Sequence, residues 1–110
     1  MDRFSEYRIM WILVFFDLPT ESKKNRRAYV DFHKFLERDG FTMFQFSIYV
    51  RHCASSENAA VHMRRVRSNL PEYGKVGLLC ITDKQFADIE LFYGKKVLAA
   101  NAPGQQLELF

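Results

Sequence analysis

The stretch WILVFFDLPTESKKNRRAYVDFHKFL, Trp11 to Leu36, joins two elements of opposite character. Six apolar residues run unbroken into a single carboxylate, Asp17. A turn at Leu18-Pro19-Thr20 then separates them from a cluster of cations, Lys23, Lys24, Arg26 and Arg27. Ile9–Phe16 reads as a strand, because it is short, rich in aliphatic and aromatic side chains, and bounded by Asp and Pro. Past the turn, Thr20 is the expected N-cap, with Glu21 in a first turn that favours negative charge. The helix is predicted to run to about Asp39 and to end at Gly40, which suits the position after a C-cap.

Working outward, Phe41–Phe44 and Phe46–His52 read as two strands joined tightly near Gln45, through a bulge rather than a long turn. Ser55 or Ser56 can cap a second helix that reaches Ser68 and is stopped by Asn69-Leu70-Pro71. Lys75–Thr82 is another short apolar strand. The order βαββαβ is the ferredoxin-like α+β arrangement, in a single domain with a core from about residue 9 to 93. A short helical piece, a strand at Leu91–Tyr93 and a turn at Asn101-Ala102-Pro103-Gly104 follow Asp83.

Two of the strands are greasy on both sides. Trp11, Leu13 and Phe15 alternate with Ile12, Val14 and Phe16, and Val76, Leu78 and Cys80 alternate with Leu79 and Ile81. A βαββαβ domain stacks both helices on one face of its sheet and leaves the other bare. Something must cover that face. A second copy in a two-fold homodimer is the favoured cover, and the chain's own C-terminal segment is the alternative.

Charge distinguishes the first helix. The chain carries a net charge of +3 with pI near 9.0, a weak signal until its placement is considered. At about 100° per residue, Ala28, Tyr29, Phe32, Phe35 and Leu36 share one sector, while Lys23, Arg27, Lys34 and Arg38 form a stripe on the opposite side. Lys24 and Arg26 flank the stripe, and Asp31 interrupts it. Such a face can be ordinary solvated surface with i,i+4 pairs. The excess of cations over Asp31 points instead to phosphate, whose binding is driven by counterion release. The second helix adds Arg64, Arg65 and Arg67 together with His62. No side-chain set suited to reading base edges is evident, so recognition of backbone or shape is expected.

Asp17 has two readings. It can cap the Pro-containing turn. It can also ligate magnesium, which is usually held by one or two carboxylates plus substrate phosphate. One Asp is a poor site, and a two-fold dimer that brought two Asp17 side chains together would remedy that. His52, Cys53, His62 and Cys80 lack the spacing of compact zinc knuckles. Cys80 and His33 are read as structural. Ser47, placed in the third strand beside Tyr49 and Arg51, is either a support for Asp17 or an exposed polar residue. Two cysteines make no disulfide framework, and the run Ile9–Phe16 is too short to span a bilayer. A reduced, cytoplasmic protein is therefore expected, with no membrane partner.

The segments VFFDLPT, KKNRRAYVDFHKFLERDGF, QFSIYVR and GKVGLLCITDKQF together resemble the CRISPR-associated protein 2 family, of the kind found with Cas9-type systems, over about Ile9 to Tyr93. The resemblance implies a ferredoxin-like homodimer in which the last strand of one chain completes the other's sheet. It implies a role in spacer acquisition, with the dimer bridging copies of the CRISPR-associated integrase and duplex prespacer DNA lying on its basic surface. It places the family's magnesium ligand, proposed for endonuclease activity on RNA or DNA, at Asp17, and its early basic helix residues at Lys23, Lys24, Arg26 and Arg27. The alternative is a purely architectural DNA-binding scaffold. A small-molecule regulatory module is disfavoured, because nothing resembles a ligand loop. The longer lead before Ile9 and the tail NAPGQQLELF depart from the pattern.

Overall fold

A computed structural model describes residues 8–94 and the backbone of 96–97. The elements in chain order are β1 (Met10–Asp17), α1 (Lys23–Arg38), β2 (Thr42–Gln45), β3 (Ile48–Cys53), α2 (Ser56–Arg67), β4 (Lys75–Thr82), α3 (Asp83–Ala87), β5 (Phe92–Tyr93) and β6 (Lys96–Val97). The first four strands form one antiparallel sheet in the order β2-β3-β1-β4. With α1 and α2 as the crossovers, this is the ferredoxin-like α+β fold expected from the sequence.

Local chemistry explains the boundaries. The N-cap of α1 is Ser22, whose hydroxyl accepts from Asn25 N at 3.0 Å, and not Thr20. Residues 18–22 stay non-helical, so the helix starts later than the expected cap allows. The Arg26 guanidinium then holds the non-helical lead by donating to the Thr20 and Glu21 carbonyls at 3.1 and 3.3 Å. Glu21 consequently lies before the helix, and the first turn of α1 has no acidic residue. Gly40 ends α1 as predicted, at φ 91°. Its N–H donates to Glu37 O and that of Phe41 donates to Leu36 O, the paired bonds of a Schellman cap. Ser55 caps α2 through Asn58 N. The expected irregularity near Gln45 is a register shift between Met43 and Gln45. Ser47 is a correction to the sequence reading: it lies outside the third strand, in the connecting turn at φ 65°, and its carbonyl accepts from Phe16 N.

The main core fills the space between one sheet face and the two long helices. Ile12, Val14, Phe16, Tyr49 and Cys53 of the sheet meet Phe32 and Leu36 of α1 and Ala59 and Val66 of α2. The second face is covered in part by the chain's own C-terminal segment. There Phe86 of α3 stacks on Trp11 with ring centroids 4.0 Å apart, and Phe44 and Val50 close the cluster from the sheet. The Trp11 indole N–H donates to the Asp83 carboxylate at 2.7 Å, so the ring is stacked and hydrogen-bonded together. Cover by the tail was the alternative reading of this face, and it holds at the Trp11 end. Beyond that cover Phe15 and Leu79 stay 45% and 48% exposed, and Phe46 on the β2–β3 turn is 80% exposed.

The expected strand at Leu91–Tyr93 is β5, which pairs with β6 in a separate two-stranded ribbon and is not a fifth member of the main sheet. The lead before Arg8 and the turn expected at 101–104 lie outside the described residues.

Candidate nucleic-acid and metal site

Asp17 is the last residue of β1, and strand alternation puts it on the sheet face shared by Phe15, away from α1 and α2. It is exposed, and among the described residues its carboxylate makes no hydrogen bond or ion pair. The groove around it, of about 580 Å³, is lined by Phe15, Phe46, Ile48, Lys75 and Gly77 among others. Gly77 is a requirement of that surface, because a Cβ there would collide with the Phe15 ring. Gly74, at φ 97°, lets the entry to β4 approach β1: a Cβ would lie 2.7 Å from the Asp17 carbonyl oxygen. The end of the sheet that carries Asp17 is thus set by two close approaches, one to the Asp17 backbone and one to the Phe15 ring.

An exposed carboxylate offers the hard oxygen donors that magnesium prefers. One per chain falls short of a dedicated cage. Among the described residues, no group of three His, Cys, Asp or Glu side chains could hold a metal ion. Of the four considered for zinc, His62 is buried and bonds Asp39 through Nδ1 at 2.8 Å, while Cys53 and Cys80 lie in the sheet. Burial pushes both thiols above their ordinary pKa, away from the thiolate that a metal or a substrate would need. His33 bonds the Tyr49 hydroxyl on one ring nitrogen and approaches Glu37 at 3.0 Å on the other, a structural role.

The cations sit on the opposite side of the sheet from Asp17. Lys23, Lys34 and Arg38 are exposed along α1 and close no ion pair among the described residues. Arg27 approaches Asp31 at 3.8 Å and Lys24 approaches Glu72 at 3.7 Å, with both members of each pair well exposed. Such pairs contribute little and leave the charge free to meet phosphate. Lys23, Lys24, Arg26, Arg27 and Lys34 line one open groove with Val30 and Asp31.

Three candidate cations are re-assigned. Arg26 is tied to the backbone carbonyls of Thr20 and Glu21. His62 points inward, so it is not part of a basic surface. Arg65 of α2 donates to the Asp39 carboxylate at 3.0 Å, and that carboxylate is only 8% exposed. Asp39 therefore joins the end of α1 to α2, and its backbone carbonyl also accepts from Arg51 Nε at 2.7 Å. Arg64 and Arg67 remain exposed on α2.

Comparison with known proteins is decisive for the family. The profile described as "CRISPR associated protein Cas2" matches residues 10–89, the span from the first residue of β1 to just past α3. This chain belongs to the Cas2 family. It is 61% identical over 108 residues to a protein of Flavobacterium psychrophilum named "CRISPR-associated endoribonuclease Cas2", covering 98% of this chain and 94% of the relative. A protein of the same name from Parvibaculum lavamentivorans is 50% identical over 101 residues, covering 92% of this chain and all of that relative. The Cas2 match spans both the Asp17 strand end and the whole of the basic helix. Lys75 is a site-lining residue that the sequence reading missed. In the sequence it is marked only as the start of a strand, and the β1–β4 register is what places it beside Asp17.

Proposed function

We propose that this Cas2 chain acts as a two-fold dimer in CRISPR adaptation, gripping duplex DNA with its basic helices and bridging integrase subunits. The dimer would also carry a magnesium-dependent endonuclease site, acting on RNA or DNA, at paired Asp17 residues. The observation that carries the reading is the position of Asp17. It is a free carboxylate at the rim of an apolar face that the chain's own tail covers only in part. A second copy seated on that face would remove Phe15 and Leu79 from water and bring a second carboxylate to the first. Apolar burial supplies the driving force for such pairing, at about 25 cal/mol per Å². Two carboxylates, with phosphate and water completing the shell, fit magnesium, which would supply charge neutralisation at the scissile phosphate and an activated water. The chain's own contribution is to hold two carboxylates at fixed strand ends and to bind the strand.

One observation favours the architectural reading, in which the integrase does the chemistry. The cations and Asp17 occupy opposite sides of the sheet, so duplex lying along α1 would not touch the carboxylate of the same chain. Replacing Asp17 by Ala separates the two. Loss of magnesium-dependent cleavage with unchanged duplex binding assigns the carboxylate to the metal, and cleavage that survives refutes that role. Normal spacer acquisition by the same variant would assign the biological role to the scaffold alone. Sedimentation of the intact protein tests the dimer; a folded monomer at micromolar concentration would remove the carboxylate pair.

A further inference from the structure

The β1–β4 register sets Lys75 directly opposite Asp17. Residues facing each other across an antiparallel pair share a sheet face, so both side chains belong to the same groove. Both are exposed, and both stand at the end of the sheet, Asp17 as the last residue of β1 and Lys75 as the first of β4. A simple cross-strand ion pair would be the plain use of this placement. It is not formed: Lys75 closes no ion pair with Asp17 or with any other carboxylate among the described residues. Its backbone, by contrast, is held, because Gly74 packs against the Asp17 carbonyl with no room for a side chain. The result is a fixed attachment point carrying a long, free ammonium beside a free carboxylate.

We propose that Lys75 is a substrate-binding residue of the Asp17 site, whose ammonium holds a non-bridging phosphate oxygen of the strand presented to Asp17. This rests on the nuclease reading of Asp17 given above. An ammonium is a compact point charge with three donors, suited to a phosphate oxygen whose orientation varies. The α1 stripe cannot serve there, since it lies beyond the sheet. Lys75 would bind ground state and transition state alike, with no proton or bond changing at Nζ.

The test compares the intact wild-type protein with Lys75→Gln and Lys75→Arg. With magnesium and a single-stranded RNA, Lys75→Gln should raise KM roughly tenfold and leave kcat nearly unchanged, the pattern of lost uniform binding through one charged hydrogen bond. A second arm needs no turnover: titration with an uncleavable dinucleotide phosphorothioate in calcium, a probe too short to reach α1 and the groove together. Lys75→Gln should weaken it by a similar factor, and Lys75→Arg should restore both measurements. Unchanged KM and dinucleotide affinity in Lys75→Gln, or a loss that Lys75→Arg does not restore, overturns the assignment. Should the wild-type protein cleave nothing, the nuclease reading fails on its own, and the dinucleotide titration decides Lys75. A wild-type protein that binds no dinucleotide also overturns it.

Discussion

Replacing Lys34 by Gln should lower the salt sensitivity of duplex binding by an amount that follows from the free cations of α1 and the proposed dimer. Lys23, Lys34 and Arg38 are exposed with no ion-pair partner among the described residues, and Arg27 is held only by an exposed contact to Asp31 at 3.8 Å. The stripe thus offers four cations per chain, hence about eight phosphate contacts in a two-fold dimer and a log–log salt slope near −7. Between about 50 and 200 mM salt, affinity should then fall by roughly four orders of magnitude. Lys34→Gln deletes one contact per chain and should bring the slope to about −5.4. Arg26→Gln serves as the control, because that guanidinium is engaged with the Thr20 and Glu21 carbonyls and should contribute little to the slope. The assay is fluorescence anisotropy of a labelled duplex across a salt series. A wild-type slope near zero, or a slope that Lys34→Gln leaves unchanged, would refute the assignment of the α1 stripe to phosphate.

Two further outcomes concern the frame that holds these surfaces. Asp39→Ala removes the acceptor of buried His62 and of Arg65, and should cost about 2–3 kcal/mol, most of it from leaving His62 unpaired. Urea unfolding with an unchanged m-value reads this directly; a loss below about 1 kcal/mol would mean that α1 and α2 are not tied through this carboxylate. Burial, reinforced by the nearby Tyr29 and Glu37 charges, pushes the Tyr49 phenol up to about 12 from an ordinary 10.0. The folded state therefore favours the neutral phenol, and the associated stability, about 2–3 kcal/mol, is complete below pH 10 and lost as pH rises towards 12. In an ultraviolet titration one tyrosine should ionise late, and Tyr49→Phe should abolish that late step; a late step that persists in the variant would refute the assignment.

Much of the fold was legible along the chain because its signals are local. The unbroken apolar run to Asp17, the Gly40 stop, the Ser55 cap and the bounds of Lys75–Thr82 each depend on residues within a turn or a pleat of one another. The error at the start of α1 has the same origin. Thr20 and Ser22 both satisfy the local rule for a cap; Ser22 takes the role, and Arg26 reaches back to the Thr20 and Glu21 carbonyls in the segment before it.

What the amino-acid sequence determined by itself was the βαββαβ order and the existence of a cationic helix face, since periodicity and capping are carried by near neighbours. Only the tertiary structure decided which of those charges are free. Arg65 is claimed by Asp39, while Lys75 is set opposite Asp17 by strand register. It also decided that Phe86 and Asp83 would close over Trp11 and leave Phe15 uncovered. Long-range approach sets these pairings, because the energy of a charge or a ring depends on what is brought against it in space and leaves no mark in the local pattern of residues.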